Sequence, residues 1–487
     1  MGAFNTASRA SSLSEQQSKK EQQEDTLVTQ GRLDRLEENA VGEAEIVDDV
    51  FGAGGEGKVD YRSVGWMSTS VLMTKAQIGL GVLSIPSVFH SLGLGPGIII
   101  LLTVAGLTTW TDYYIAGPWK RKHPQCYSVS DAGYIMWGPV GREICSIAYM
   151  LFLLFVVGAA LVGLSTALNA ISLHATCTAV WVVVAAAVTY PFASLRTLGS
   201  VKWVGWVGLV SMVVSIMLVT IAVGAGGRPS PAPQEGPWDK GLVYWGNPSF
   251  SDAMNAIANL VLSFAGTSTY LPMVSEMRQP RHSTRAVLVS QSFITAFYLT
   301  VGIVVYMYAG QYVASPALGT AGVLIKRVAY GLALPGLLAA AIIYLHLPAK
   351  FIFVRVLRGS RHMTESTPTH WLVWLGCTFG CLLFSYIVAS AIPVFGGLVG
   401  LIGALFGTLL CLQLVACMWF FDNLSRLRNK ELRNAKIIAL AVLNGFIVVA
   451  GSFIMVAGTY GAAVAIRDDF RENGGRPWSC ADNSNSS

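Results

Sequence analysis

Eleven apolar runs follow one another between Trp66 and residue 462 of this sequence. Each is close to the roughly 20 residues that a helix needs to cross the hydrocarbon core of a bilayer. A segment in lipid must satisfy its own backbone hydrogen bonds, and these runs lack the alternation of barrel strands, so each is predicted to be a helix. The runs cover roughly residues 66–89, 94–117, 142–169, 174–193, 203–225, 253–274, 286–309, 321–347, 371–389, 392–418 and 436–462.

The composition agrees with a chain that lies in lipid. Only 12% of the residues are charged and 53% are hydrophobic, whereas a soluble domain carries about 25% charged residues. The net charge of +6 is small and dispersed, which excludes the concentrated basic surface of a nucleic-acid binder. The sequence therefore predicts an all-α integral membrane protein whose surroundings are the lipid bilayer and which has no nucleic-acid partner.

Charged residues predict how the chain is oriented in the membrane. Of the 33 Lys and Arg residues, 25 lie in the N-terminal segment or in alternate loops on its side, and 5 lie on the other side. By the positive-inside rule, the N-terminus is predicted to be cytoplasmic and the C-terminus outside. We expect a mostly disordered acidic tail at 1–62, a transmembrane domain at 63–465 and a short extracytoplasmic tail at 466–487. The proline-rich outer connection Gly226–Asp252 is predicted to be a lid-like loop or a spacer.

Two of the runs are interrupted in a matching way. The first contains the stretch Gln77–Pro86, with glycines two residues apart, and the sixth contains Ser263–Pro272. Secondary transporters built from inverted repeats bind substrate where two corresponding helices unwind, because the freed backbone groups and half-helix dipoles face the ligand. The interruptions lie five runs apart, so we expect two repeats of five helices, broken helices 1 and 6, and an extra C-terminal helix.

The residues of these two stretches resemble a known family. KAQIGLGVLSIP in the first run and SFAGTSTYLPMVSEMRQP at the end of the sixth are similar to the amino acid/auxin permease family, within the amino acid–polyamine–organocation superfamily, and among its members to the fungal neutral amino acid permeases. The resemblance covers about residues 62–465. It implies one amino acid bound at the midplane between the repeats and coupling to H⁺ or Na⁺.

The resemblance also implies a set of site residues. The substrate carboxylate is expected at the unwound backbone of Ile78, Gly79, Leu80, Gly81, Val82 and Leu83, although the Val82 side chain itself suits core or lipid packing better than chemistry. The ammonium group is expected at Ser263, Phe264, Ala265, Gly266, Thr267 and Ser268. Tyr149, together with Phe264 and Tyr270, could line the pocket. Glu276 is expected either to latch an inner gate or to form a salt bridge at a helix end.

Ionisable residues inside the spans are candidates for ion coupling, because charge is costly in lipid. In sodium-coupled relatives the position that matches Lys75 is usually an asparagine that helps to hold the ion, and proton-coupled relatives more often have lysine there. Lys75 could replace the sodium ion, exchange the proton, or extend its ammonium to the cytoplasmic surface. His346 could titrate near neutral pH or only pack. Asp112 is expected near the inner surface, where it could pair with a loop arginine.

The remaining motifs exclude other classes of protein. The sequence has no GxxxxGK[ST] phosphate loop, no metal-ligand spacing and no catalytic constellation, so neither an enzyme nor a cofactor is expected. The eight cysteines form no CxxC pair and resemble small apolar residues. The sequence predicts a proton-coupled symporter of neutral, bulky or aromatic amino acids in the plasma membrane. The alternatives are a vacuolar exporter of the same fold and a transporter-like nutrient sensor. No oligomeric state follows from the sequence.

Overall fold

The structure is a computed structural model of the chain. It describes residues 64–195, 198–225, 228–229, 231–233, 235–357, 367–429, 434–472 and 477–484. The predicted acidic tail at 1–62 lies outside the described residues.

Helices account for most of the described chain. In chain order they are α1 (Trp66–Gln77), α2 (Ile85–Leu92), α3 (Leu94–Tyr114), α4 (Val129–Ser172), α5 (Thr178–Ala193), α6 (Leu198–Gly224), α7 (Phe250–Ser263), α8 (Tyr270–Ser275), α9 (Ser283–Ala309), α10 (Val323–Val356), α11 (Pro368–Ala391), α12 (Phe395–Ile402), α13 (Leu414–Arg428) and α14 (Ala435–Glu472).

The all-α membrane architecture is confirmed, and each of the eleven apolar runs contains a helix. In the described part of the chain, nine continuous helical segments are long and apolar enough to span a membrane, and the bent pair of α1 and α2 brings the number to ten. Helix α5 has 16 residues and is shorter than a usual span. The number of eleven transmembrane helices therefore remains a prediction.

Close helix contacts depend on small side chains. Helix α10 packs along α4 and α6, and α14 packs against α7. Where α6 crosses α10, a Cβ added to Gly336 would lie 2.9 Å from the carbonyl oxygen of Gly208. Glycines at such crossings let two backbones approach closely, which is how helices gain packing energy in lipid.

Helix α4 begins well before the predicted start of the third span at residue 142. Ser128 caps it: its hydroxyl accepts a hydrogen bond from the Asp131 backbone N–H, and the Asp131 carboxylate accepts one from the Ser128 backbone N–H. This reciprocal capping box stabilises the helix start. The helix kinks at Gly138, whose φ of 68° suits glycine, immediately before Pro139. Hydropathy detects the apolar part of this helix, whereas its polar first turns are set by the cap.

The C-terminal segment 477–484 is attached to the helical domain. Cys177, next to the start of α5, forms a disulfide with Cys480, 303 residues further along the chain. The prediction that all cysteines act as small apolar residues is therefore wrong for this pair. The Asn169 side-chain amide donates to Asn483 Oδ1 at 2.8 Å, and Lys326 Nζ donates to the Ser484 carbonyl at 2.6 Å. The segment thus connects the ends of α4, α5 and α10.

Part of the connection between α6 and α7 covers the turn between α2 and α3. Gly93 forms this turn with a φ of 85°, and the Gly246 N–H donates to the Leu92 carbonyl at 3.2 Å. The Leu94 N–H donates to the Val243 carbonyl at 3.1 Å. The predicted lid-like loop is therefore fixed, over this stretch, at the end of the second half of broken helix 1.

Candidate functional site

The two predicted interruptions are real and lie in contact. Helices α1 and α2 are the two halves of predicted helix 1. They differ in direction by 45°, and a short 3₁₀ turn (Gly81–Ser84) lies between them. Helices α7 and α8 are the two halves of predicted helix 6. Helix α7 ends at Ser263, and a second 3₁₀ turn (Thr267–Thr269) precedes α8. A Cβ added to Gly81 would overlap the Cα of Ser263. Glycine at position 81 therefore permits the two breaks to touch.

Tyr298 of α9 ties the two breaks together. Its hydroxyl lies 2.9 Å from the Gln77 carbonyl oxygen and 3.0 Å from the Ser263 carbonyl oxygen, and it can donate to either. These residues are the last of α1 and α7, and carbonyls at a helix C-terminus have no partner inside the helix. The Tyr344 hydroxyl of α10 donates in the same way to the Ala76 carbonyl at 3.0 Å.

Several polar groups at the breaks have no partner. The backbone N–H groups of Gly79 and Leu80 donate to no acceptor among the described residues. The hydroxyls of Thr267 and Ser268 are buried and also lack a partner there. A Cβ added to Gly79 would meet no atom within 4 Å. Because buried polar groups are normally hydrogen-bonded, these donors and the space beside Gly79 indicate a place for a polar ligand.

The other predicted backbone residues of the site mainly pack. Ile78, Val82 and Leu83 are buried members of the hydrophobic core. Ala265 is buried too, and Gly266 lies against Gln77, whose Cγ would be 2.6 Å from a Cβ at Gly266. The side chains of these residues thus position the breaks, and their backbone groups are what a ligand could reach.

A polar cluster adjoins the breaks. Asp112 of α3 is 0% exposed, and its Oδ2 accepts hydrogen bonds from the side-chain amides of Gln77 and Gln291. The Gln77 amide also donates to the Tyr270 hydroxyl at 2.9 Å and approaches the Phe264 carbonyl oxygen at 3.4 Å. The expectation that Asp112 pairs with a loop arginine is therefore wrong, because its partners in the described structure are amides.

Aromatic side chains surround this region. Phe264 is fully buried and makes an edge-to-face contact with Tyr298 at 5.2 Å between ring centroids. Tyr149 of α4 lies near Tyr344 and Cys411. Cys411 in turn lies against the backbone of Thr267 and Ser268. Tyr149 is thus brought to the same side of the bundle as the break in helix 6.

The two predicted coupling residues are placed differently. Lys75 is half-buried, and its Nζ lies directly over Gly205 of α6, where a Cβ would overlap it. Its ammonium has no hydrogen bond or ion pair with the described residues. His346 is buried and points toward α5 and α11: its Nδ1 lies 3.4 Å from the Ala193 carbonyl oxygen, and its ring packs against Trp374. Only Lys75 adjoins the break in helix 1.

Glu276 lies at the end of the sixth span and is exposed. Its carbonyl accepts a hydrogen bond from the Val64 N–H at 3.3 Å, and the Arg278 N–H donates to the Val64 carbonyl at 2.9 Å. The segment before broken helix 1 is thus bonded to the segment after broken helix 6. This backbone pairing joins the two spans at the end where a gate was predicted.

The sequence did not predict the contacts that Gln291, Asp112 and Tyr298 make at the breaks. Gln291 and Asp112 could be singled out, because each is a strongly polar side chain within an apolar run. Tyr298 could not, because it is one of 51 aromatic residues spread along the chain. Only the folded chain brings its hydroxyl to the ends of two half-helices.

Comparison with known proteins gives a consistent result. The profile of the family described as "Transmembrane amino acid transporter protein" matches residues 62–464. A "Transmembrane transporter" of Gibberella moniliformis is 33% identical over 427 residues, which are 88% of this chain and 89% of the relative. The "N amino acid transport system protein" of Neurospora crassa is 29% identical over 457 residues, covering 90% of this chain and 94% of that protein.

The fold also matches a solved transporter structure. A Na⁺-coupled sialic acid symporter, in a substrate-bound outward-open state, aligns with a TM-score of 0.50 at 13% identity. The alignment covers 86% of this chain and 92% of the symporter. At this identity the likeness shows the fold alone, and it confirms the predicted type of transporter fold.

Proposed function

The chain belongs to the family of transmembrane amino acid transporter proteins, and from this premise we propose that it carries neutral amino acids with bulky or aromatic side chains into the cytoplasm together with protons. The amino acid binds between the break in helix 1 and the break in helix 6. Alternating exposure of this site to the two sides of the membrane moves the substrate across.

The observation that carries the proposal is the contact between the two breaks, with unpaired polar groups on both. The N–H groups of Gly79 and Leu80, which have no acceptor among the residues that the structure describes, lie at the N-terminal side of the second half of helix 1, where backbone donors and the helix dipole favour a carboxylate. The unpaired hydroxyl oxygens of Thr267 and Ser268 can accept hydrogen bonds from an ammonium group. An α-amino acid presents both charges a few ångströms apart.

Preference for bulky or aromatic side chains is supported by the surroundings of the breaks. Gly79 has open space beside it. The Tyr344 hydroxyl contacts the end of α1 at Ala76, and Tyr149 lies near Tyr344. Neither ring bears a charge that would pair with an acidic or a basic substrate side chain. Aromatic rings favour contact with other rings at their faces and edges.

Lys75 supports coupling to protons rather than to sodium. Its ammonium lies between α1 and α6, over Gly205, and has no anionic partner among the described residues. A fixed positive charge at this position takes the place that a bound sodium ion would need, and it repels a second cation. We therefore assign Lys75 the role of a permanent substitute for sodium.

Two independent observations support the proposed orientation. The excess of Lys and Arg favours a cytoplasmic N-terminus and an outer C-terminus. The disulfide between Cys177 and Cys480 supports the second assignment, because disulfides persist on the oxidising side of a membrane. We propose residence in the plasma membrane, where inward transport with a proton gains about 2.3 kcal/mol per charge for each 100 mV of membrane potential.

The test is uptake of a panel of radiolabelled amino acids into cells that express the chain. It is run at acidic and neutral pH, with and without sodium, and with a protonophore. The proposal requires uptake of neutral amino acids that increases in acid, ignores sodium and collapses with the protonophore. Uptake that needs sodium contradicts the coupling and leaves the transport activity standing.

Two other results distinguish the alternative functions. Absence of uptake by protein that is shown at the cell surface contradicts a plasma-membrane importer. Labelled substrate leaving isolated vacuoles in exchange for protons would then identify an exporter. Binding without transport, with signalling that requires residues 1–62, would identify a nutrient sensor. Tagged protein in the vacuolar membrane contradicts the proposed location directly.

A further inference from the structure

A buried carboxyl group lies beside both helix breaks and has no role in the binding scheme above. Resting on the proposed function, we propose that Asp112 is the group that carries the co-transported proton. Its position on α3, its neutral partners and its unpaired oxygen lead to this assignment.

The contacts of Asp112 link it to both breaks. Its Oδ2 accepts from the amide of Gln77, the last residue of α1, at 3.5 Å, and from the amide of Gln291 on α9. The same Gln77 amide approaches the Phe264 carbonyl oxygen at the break in helix 6. A change of charge on Asp112 therefore acts, through one side chain, on the ends of α1 and α7.

The surroundings of Asp112 contain no positive charge among the described residues. The titratable groups that face it are Tyr270 of α8 and Cys411 between α12 and α13, both neutral. From α1 and α9 it meets only amides, and the Lys75 ammonium is directed to α6 instead. Burying an ionised carboxylate without a cationic partner is costly, so taking up a proton relieves an unfavourable state.

The neutral acid can be accommodated without rearranging the cluster. Asp112 Oδ1 is buried and has no hydrogen-bond partner within the described part of the chain, and the Thr267 hydroxyl faces the same carboxyl group. A proton on Oδ1 thus has an acceptor nearby, while Oδ2 keeps the two amide donors. The site can hold either protonation state, as a proton carrier requires.

The cycle is a simple proton transfer. With the site open to the outside, the carboxylate accepts one proton from water and becomes the neutral acid while the amino acid binds. The Gln77 amide then loses a charged acceptor at the end of α1. After the site opens inward, the acid returns its proton to cytoplasmic water and the carboxylate is restored. One proton moves with each amino acid.

A second carboxylate of the bundle gives a matched contrast. Asp422 of α13 is also largely buried, but it pairs with Lys122 at 2.6 Å and with His123 at 2.9 Å, and it accepts from the Tyr114 hydroxyl. With the Lys122 ammonium and two further hydrogen-bond partners, its ionised form is stabilised. Asp422 is therefore expected to hold the structure without carrying a proton.

The experiment uses the purified full chain in lipid vesicles with radiolabelled L-phenylalanine. Exchange of labelled for unlabelled substrate at equal pH measures binding and rocking without net proton movement. Accumulation driven by a pH difference, with a pH dye inside, measures coupling. One pH unit supports about tenfold accumulation for one proton per substrate. The wild-type chain should show both activities.

Asp112→Asn keeps the shape of the neutral acid and cannot titrate. We expect exchange within about threefold of wild type, since a neutral amide fits the same partners, and loss of the roughly tenfold accumulation together with the proton signal. Asp422→Asn should keep both. Asp112→Glu retains a carboxyl group, so accumulation should persist with a displaced pH profile.

Each outcome decides between the proposals. Wild-type vesicles that exchange without pH-driven accumulation contradict the proposed proton coupling itself. Wild-type coupling with equal coupling in Asp112→Asn overturns the assignment of Asp112 and leaves the function standing. Loss of exchange as well as accumulation in both Asp112 variants assigns a structural role instead. If Asp112→Asn does not fold, Asp112→Glu decides: an unchanged pH profile overturns the proposal.

Discussion

The two helix breaks are built differently, although they meet at one point. The break in helix 1 bends the chain by 45° and leaves the N–H groups of Gly79 and Leu80 without acceptors in the described structure. The break in helix 6 lies within a single span, Phe250–Ser275, and one of its own side chains closes it: the Thr269 hydroxyl donates to the Gly266 carbonyl at 2.7 Å. One break offers backbone donors, and the other offers unpaired hydroxyls.

This difference indicates that the two repeats recognise different parts of the substrate. Backbone N–H groups that lie at fixed positions recognise a carboxylate, which every amino acid has. Hydroxyls and aromatic rings on the other side contact groups that vary between substrates. Alterations in helix 1 should therefore affect all substrates equally, whereas alterations in helix 6 should change the preference among them.

The largest effect is expected where the breaks touch. Gly81→Ala places a methyl group on the backbone of Ser263, so it should separate the breaks, abolish transport of every substrate and cost about 1–3 kcal/mol of stability. Uptake and thermal unfolding measure the two effects. Gly376→Ala in α11 is the matched control, since its Cβ meets open space and the residue lies outside both breaks. Equal transport in both variants would contradict the contact.

Removing the charge beside the break in helix 1 should have the next largest effect. Lys75→Ala leaves an unfilled position over Gly205, so a sodium ion should be able to take the place of the ammonium and uptake should become sensitive to sodium, while pH-driven accumulation through Asp112 persists. Uptake across a pH difference, with and without sodium, measures this. Lys326→Ala alters a buried lysine far from the breaks, at the disulfide-linked segment, and should keep the coupling. An unchanged, sodium-independent pH profile in Lys75→Ala would exclude the proposed role.

The hydroxyl that joins the breaks should contribute an intermediate amount. Tyr298→Phe leaves the Gln77 and Ser263 carbonyls without their shared donor, and a buried unsatisfied acceptor costs about 1–3 kcal/mol. We expect a lower unfolding temperature and slower transport, because the ends of α1 and α7 no longer move together. Tyr306→Phe, whose hydroxyl on the same helix contacts Val243 of the outer connection, is the control. Equal losses in the two variants would show that Tyr298 has no special function.

Hydropathy and breaks in periodicity were enough to predict most of the fold. Apolar runs depend on local sequence, and Gly81 and Pro86 interrupt the first run where the helix breaks. Contacts between distant residues left no such pattern. The Tyr298 hydroxyl, the amide partners of Asp112 and the pairing of Cys177 with Cys480 are each set by how helices assemble, so only the three-dimensional structure reveals them.

The smallest effect on stability is expected for a substitution at the break in helix 6. This substitution should change substrate binding while it leaves folding unchanged. Ser268→Ala removes a buried hydroxyl that has no partner in the part of the chain that the structure describes, so stability should stay within about 0.5 kcal/mol of wild type or increase. If this hydroxyl contacts the substrate, KM should rise several-fold, and by different factors for different amino acids.

Ser263→Ala gives the opposite expectation at the same break. The Ser263 hydroxyl donates to the Asn259 carbonyl at 2.8 Å, one turn earlier in α7, so it is already satisfied within its own helix and is not free for a ligand. Its removal should leave KM unchanged for every amino acid. Measured KM values for a panel of substrates, beside thermal unfolding, test both variants. Equal KM values in Ser268→Ala and wild type would exclude the Ser268 hydroxyl from substrate selection and leave the Thr267 hydroxyl and the aromatic side chains around Tyr149 as the groups that select the substrate.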